Sequence, residues 1–292
     1  MRADVGDVLD SRYRLIAKVG AGAYGVVFRA RDLETRGEVA VKVLKSESTQ
    51  DAALSVRFER EAMAMARLRG TSAVYVHGMG RLPDGSAYIV MEMLYGTDLE
   101  TFLSAAEKQG GRLKRSHTLS LLGPIAQTLD AAHRQKIVHR DLKPSNIFLV
   151  DRSHGGGVRL MDFGLAKLLG AGSLTAQGMV AGTPSYIAPE SWRGDPRTLD
   201  HRIDVYSLGV IVFRCLAGRV PHTTKSMMEL CQWAQTGERP SLTALRPSLP
   251  GAMDPWVQRS LAIDPDKRFQ SVRELWQSLE GILAPQQASR PW

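Results

Sequence analysis

Cysteine is nearly absent from this 292-residue chain, which carries only Cys215 and Cys231. Two thiols cannot form a disulfide framework for a chain this long, and their spacing matches no metal site. They fit a reducing compartment. Long apolar runs are also missing. No stretch approaches the ~18 residues that a membrane-crossing helix needs, so the expectation is no membrane span in this chain. The N-terminal MRADVGDVLDSRYR lacks the apolar core of a secretory signal. Aromatic residues are sparse, at 7%, and they do not interleave with a basic stripe. The 38 Lys and Arg outnumber the 30 Asp and Glu, for a net charge of +8. The basic residues are scattered, with short clusters such as Arg112, Lys114 and Arg115, or Arg193 and Arg197. That pattern reads as a solvated surface, with no specific nucleic-acid site. What the chain does have is ordinary globular composition, 43% hydrophobic and 23% charged, enough for one large domain or two modest ones.

The first ~90 residues read mostly as strands. Tyr13–Val19 alternates loosely, Val26–Ala30 follows a glycine cluster, and Glu38–Leu44 is rich in valine. A helix is expected over Ala53–Leu68, with Phe58, Ala62 and Met65 on one face. Strands resume at Val74–Met79 and Ala87–Met91, joined by the turn Pro83-Asp84-Gly85. After Gly96 helical patterns dominate: Asp98–Lys108, Thr118–Gln135, Asp204–Ala217, Lys225–Gln235 and Val272–Leu283. A short strand–turn–strand, Ile147–Val150 and Val158–Met161, lies between them. A β-rich part followed by a helical part predicts two lobes joined near Glu92–Asp98.

Gly20-Ala-Gly22-Ala-Tyr-Gly25 fits G-x-G-x-x-G, and Val27 extends it. A dinucleotide fold would start a helix there and place an acidic residue about 20 positions on. Here a strand follows, and the residue 22 positions after Gly20 is Lys42. A glycine loop between strands makes a flap whose backbone N–H groups approach phosphates closely, because no Cβ obstructs them. Lys42, in Val39-Ala-Val-Lys42 on the next strand, can reach the same phosphates.

Further on, His139-Arg140-Asp141-Leu-Lys143-Pro-Ser-Asn146 precedes Asp162-Phe163-Gly164. A hydroxyl attacking a phosphate needs an acceptor for its proton, which Asp141 can supply. Magnesium needs hard oxygen ligands, which Asn146 and Asp162 can supply. Lys143 can neutralise charge on the moving phosphoryl group. Any one of these could be an ordinary surface polar residue; the whole set in this order is hard to obtain by chance.

From about Tyr13 to Leu283 the chain resembles the eukaryotic-type (Hanks-type) serine/threonine protein kinases, in the style of bacterial members. The resemblance implies an α+β, bilobal fold: a kinase N-lobe over 11–91, a hinge over 92–98, a helical C-lobe over 99–284 and a loose tail over 285–292. It implies transfer of the γ-phosphoryl group of ATP to protein Ser/Thr hydroxyls, with ATP and Mg²⁺ as cofactors. In that reading Gly20, Gly22 and Gly25 cover the phosphates, Lys42 contacts them, and Glu61 pairs with Lys42, with Glu59 as runner-up. Asp141 and Lys143 serve the transfer, while Asn146 and Asp162 hold the metal. Val27, Ala40 and Phe148 sandwich adenine. Met91 is the gatekeeper, Glu92 and Leu94 offer backbone groups, and Asp98 accepts from the ribose. Ala188-Pro189-Glu190, Asp204-Val-Tyr-Ser-Leu-Gly209 and Arg268 resemble structural motifs of the family, with Arg268 paired to Glu190 and Asp204 bracing the catalytic loop. Met65, Val76, Phe163 and His139 fit its apolar stack. Lys143 and Gly182-Thr183-Pro184 point to Ser/Thr rather than Tyr substrates. One departure is Arg69-Gly-Thr-Ser-Ala-Val74, where the family often has His-Pro-Asn, which puts the usual anchoring of the helix in question.

The segment between Gly164 and Gly182 is rich in small residues and predicts a mobile loop. By the same resemblance, Arg140 beside Asp141 implies that negative charge on this loop activates the enzyme. Thr175 is the first candidate for autophosphorylation and Ser173 the second, with self-association as one route to it. Expected partners are proteins carrying Ser or Thr. The expected location is cytoplasmic, or the cytoplasmic part of a longer membrane protein. Two other classes compete. A pseudokinase scaffold would typically lack the equivalent of Lys42, Asp141 or Asp162, and all three are here. A nucleic-acid binder would show steep salt dependence.

Overall fold

Alternating apolar and polar residues build a six-stranded antiparallel sheet in the order β1-β2-β3-β4-β6-β5. Its strands are β1 (Val8–Leu9), β2 (Tyr13–Ala21), β3 (Gly25–Asp32), β4 (Glu38–Leu44), β5 (Val76–Arg81) and β6 (Ala87–Glu92). The computed structural model describes residues 3–22, 25–44, 59, 62–163, 184–193, 199–224 and 226–284. The chain divides into two compact units. The first holds the residues up to Thr97 together with Phe148–Gly170, and the second holds Asp98–Ile147 and the residues from Ala171 onward.

Register decides what each face of the sheet does, because a one-residue slip would invert it. Phe28 pairs with Val41, and Val41 with Val90. With Leu15, Val43 and Tyr88 they form the core of the first unit. The other face carries the row Gly20, Val27, Lys42 and Ile89, each paired with the next, and beside it Ala40 paired with Met91. Of the helix expected over 53–68, positions 59 and 62–68 are described; 59 and 62–67 are helical, and Leu68 is already in a turn. Ala62, Met65 and the following Leu68 are buried. Phe58 lies outside the described residues.

A second sheet has the order β7-β8-β9, from Gly96–Asp98, Ile147–Val150 and Val158–Leu160. Gly96 sits at φ +143°, and a Cβ there would lie 2.0 Å from the Leu149 carbonyl oxygen, so only glycine fits. The sequence reading assigns everything after 98 to the helical part. The structure places the described residues 148–163 with the first unit instead. The physical reason is backbone pairing. Leu160 N donates to Ser72 O at 2.7 Å, and Val74 N donates to Leu160 O at 2.9 Å. The unusual Arg69–Val74 segment is thus tied to β9 by its backbone.

In the second unit, α1 (Leu99–Lys108) starts at Asp98, whose carboxylate accepts from Thr101 N at 2.9 Å. Next come α2 (Arg115–Arg134), α3 (Arg202–Ala217), α4 (Met227–Thr236), α5 (Leu242–Leu245), α6 (Met253–Ser260) and α7 (Val272–Leu283). Helices α5 and α6 have no counterpart in the sequence reading. Every residue of α3 from Ile203 to Leu216 is buried, so this helix is the centre of the unit. Helix α7 packs on α2 and α3 through Leu275, Trp276, Leu279 and Leu283, which recur at helical spacing. Cys215 and Cys231 are both unpaired. Among the described residues no helix is long and apolar enough to cross a membrane.

Candidate active site

In the first unit, sheet register brings Gly20, Val27, Ala40, Lys42 and Met91 to one face. The three loop glycines differ in what requires them. A Cβ on Gly25 would lie 2.7 Å from the Val43 carbonyl oxygen, so the approach of β3 to β4 excludes a side chain there. A Cβ on Gly20 or Gly22 would meet nothing closer than 3.8 Å and 4.0 Å respectively. Packing therefore explains Gly25 but not Gly20 or Gly22. Lys42 Nζ lies 2.6 Å from Asp162 Oδ1. Lys42 is largely sheltered, whereas the Asp162 side chain is 47% exposed. Asp162 sits at φ +51°, a conformation that is costly for a non-glycine residue. Such strain persists where the surroundings over-determine it. Here β9 is bonded to Ser72 and Val74 on one side of Asp162, and Phe163 is fully buried on the other.

At the end of β6, the Glu92 amide donates to Tyr75 O at 2.9 Å. Met91 and Ala40 are buried; Val27, Leu94 and Phe148 are half-buried. Glu61 lies outside the described residues. Glu59, the runner-up, pairs with Arg81.

The second unit holds His139-Arg-Asp141 by a buried carboxylate. Asp204 Oδ2 accepts from His139 N at 2.8 Å, and Oδ1 accepts from Arg140 N at 2.9 Å. His133 Nε2 lies 2.8 Å from Oδ2. Burial alone would raise the Asp204 carboxyl; the His133 hydrogen bond and the fields of His133 and His139 outweigh it and hold the group below the usual range. The clamp fixes a left-handed turn at Arg140, φ +64°, which presents Asp141. Lys143 Nζ lies 2.9 Å from Asp141 Oδ2. Asn146 is buried, and its Nδ2 donates to the Asp141 carbonyl oxygen at 2.8 Å. That hydrogen bond leaves Oδ1 as the amide's acceptor. Burial draws the Arg140 guanidinium below its ordinary range against the opposing field of Asp204. Its Nε and Nη1 are buried with no hydrogen-bond partner among the described residues.

Elsewhere in this unit Arg268 donates to both Glu190 oxygens at 2.6 Å, and both residues are buried. The expected Arg268–Glu190 pair is present, as is the bracing of the catalytic loop by Asp204. Asp98 serves as the cap of α1, a role the sequence reading did not assign. Met65, Val76 and Phe163 are buried in the first unit and His139 in the second. Thr175 and Ser173 lie outside the described residues. Two residues escaped the sequence reading. His133 lies in the last turn of a helix, where a basic residue is unremarkable, and Arg159 resembles any polar strand residue. Their partners lie 71 and 67 positions away, and nothing local marks them.

A glycine-bearing sheet face with a lysine–aspartate pair, and a separately clamped Asp–Lys–Asn loop, are the parts of a phosphotransferase. The chain belongs to the protein kinase domain family, whose family model matches residues 13–279. It is 34% identical over 276 residues to the serine/threonine-protein kinase PknL of Mycobacterium tuberculosis, covering 94% of this chain and 66% of that protein. It is 31% identical over 271 residues to the serine/threonine-protein kinase PrkC of Bacillus subtilis, covering 93% of this chain and 40% of that one. The crystal structure of the Mycobacterium tuberculosis PknI kinase domain is similar at a TM-score of 0.73 and 27% identity, covering 96% of this chain and 99% of that one. The chain spans about 40% to 66% of the length of such curated relatives.

Proposed function

We propose that this domain transfers the γ-phosphoryl group of ATP to Ser or Thr hydroxyls of proteins. The observation that carries the reading is the Asp141 loop. A carboxylate with a lysine at 2.9 Å is held on a strained turn by a buried aspartate. Asp141 orients the substrate hydroxyl and takes its proton as the oxygen bonds to the γ-phosphorus. The bond from that phosphorus to the bridging oxygen breaks, and ADP leaves. Lys143 offsets the charge that develops on the transferred group. Lys42 holds the phosphates of bound ATP, and backbone groups of Gly20 and Gly22 approach them. The Glu92 carbonyl and Leu94 N–H meet adenine between Val27, Ala40, Met91 and Phe148. Asp98 is proposed to accept from the ribose.

The donor set suits magnesium. Each unit carries a donor of that kind: Asp162 in the first offers a half-exposed carboxylate, and Asn146 in the second an amide oxygen. When bound, Mg²⁺ neutralises phosphate charge. Glu61 is proposed to pair with Lys42. The buried, unpartnered nitrogens of Arg140 support a regulatory part of the reading: phosphate added to Thr175, or secondarily Ser173, gives this guanidinium an anion. One protein molecule phosphorylating another would accomplish that.

The test is incubation with labelled ATP, Mg²⁺ and a generic basic protein, followed by phosphosite mapping. Label on Ser and Thr of the acceptor, and on Thr175 of the enzyme, is expected. Bound nucleotide with no transfer would defeat the reading and favour a scaffold. An unmodified Thr175 in a fully active enzyme would remove the regulatory part alone.

A further inference from the structure

Three separate segments of the first unit meet at one carboxylate, that of Glu92. Its Oε1 accepts from Tyr75 N at 2.8 Å and from Arg159 Nε at 3.0 Å. The Glu92 amide in turn donates to Tyr75 O at 2.9 Å. Arg159 Nη1 also donates to its neighbour's carbonyl, Val158 O, at 3.1 Å, which holds the guanidinium along β9. One residue further on, Leu160 exchanges backbone hydrogen bonds with Ser72 and Val74. The start of β5, the end of β6 and strand β9 are thus tied by one ion pair and four hydrogen bonds to backbone groups.

The two ends of this tie are informative. Glu92 bears the carbonyl that the proposed function offers to adenine. Arg159 lies three residues before Asp162, which carries the exposed carboxylate and the left-handed backbone. A cavity of about 160 Å³, lined in part by Met65, Leu68, Arg69, Tyr75, Glu92 and Arg159, lies against the tie. Space beside the pair lets the two side chains shift if the charged hydrogen bond is lost. Arg69 does not substitute for Arg159: its guanidinium sits over the Tyr75 ring, 4.8 Å from the centroid.

We infer that Arg159 is a positioning residue. Through Glu92 it fixes the spacing between the adenine-facing carbonyl and the strand that presents Asp162, and so sets the affinity for Mg-ATP. The inference rests on the kinase reading. The effect falls on nucleotide binding, because both ends of the tie serve the nucleotide. The proposed proton acceptor Asp141 belongs to the other unit, where Asp204 holds its loop. A hydrogen bond between charged, two-thirds-buried partners predicts that Arg159→Gln raises the KM for ATP about three- to ten-fold. The kcat per active molecule should change less than about two-fold.

The experiment measures KM and kcat for ATP, with active-site titration. It also measures equilibrium affinity for a fluorescent ATP analogue with Mg²⁺. The proteins are wild type, Arg159→Gln, Glu92→Gln, the double variant and Arg159→Lys. Arg273→Ala is the control, since it removes a surface pair with Asp130. Expected are a raised KM and weaker analogue binding in both single variants, a double variant no worse than either, and partial recovery in Arg159→Lys. The control should match wild type. Unchanged KM and analogue affinity in the single variants overturn the inference. So does a fall only in the active fraction, which is what a merely structural role produces. A wild type that binds the analogue without turnover defeats the kinase reading while the affinity shift still decides the tie. A wild type that binds no nucleotide ends both.

Discussion

In the first unit the Lys42–Asp162 pair lies on a sheet face, with the carboxylate about half exposed and the register of three strands setting its neighbours. In the second, Asp204 has no exposed surface and grips the catalytic loop by two backbone amides and His133. The same contrast holds for Arg268 and Glu190, both buried, and for Arg214, which is buried against Glu100 and Glu107. Exposed charges are cheap to rearrange; buried paired ones are not. The first unit therefore leaves the Asp162 carboxylate adjustable, which suits the proposed uptake and release of a charged nucleotide. The second holds the backbone beside Asp141, its proposed proton acceptor, in a fixed geometry.

The largest effect should come from removing the lysine of the first unit's pair. Lys42→Met should reduce transfer by about 10²- to 10³-fold with a smaller loss of ATP affinity and an unchanged melting temperature. Steady-state kinetics with a thermal melt check this, and a large fall in melting temperature would erase the contrast. Next comes the fixed side. Arg268→Met leaves Glu190 buried without its partner and should cost about 3–5 kcal/mol of stability, read by urea unfolding. A loss typical of a surface pair would show that this charge is not fixed by burial. Within the first unit, Gly25→Ala should destabilise by about 1–3 kcal/mol because its Cβ meets the Val43 carbonyl oxygen. Gly20→Ala should stay within about 0.5 kcal/mol and instead weaken ATP binding. The smallest effect concerns acid. Burial lowers the pKa of His222, packed against Trp233 in the second unit, from its ordinary 6.5. The unfolded chain then takes up this proton first, so stability declines as pH falls below 6.5. His222→Phe should flatten that slope in pH-dependent melts. The lowered Asp204 carboxyl has the same sign at lower pH, its contribution being lost as pH drops below the ordinary carboxylate value of 3.8.

The strands were legible in the sequence because valine and isoleucine alternate where one face is buried: Glu38–Leu44 is the same span in both readings. The motif residues were legible because their chemistry is local. Asp141, Lys143 and Asn146 lie within six positions, and the hydrogen bonds that join them are short-range. Helix α6 was missed because Pro255 in Met253-Asp-Pro-Trp256 reads as a breaker, although proline is tolerated in a first turn. The grouping of 148–163 with the first unit depends on Leu160 meeting Ser72 and Val74 across nearly 90 positions, which no periodicity announces. The same holds for Arg159 and Glu92, whose significance comes only from who sits beside them.

The central claim is that proton acceptance resides on Asp141, held apart from nucleotide binding. The direct measurement compares Asp141→Asn with wild type, for ATP affinity and for the rate of phosphoryl transfer to a protein acceptor. The account predicts unchanged affinity and a rate about 10²- to 10⁴-fold lower. Transfer at the wild-type rate, or loss of nucleotide binding in step with the rate, would contradict it.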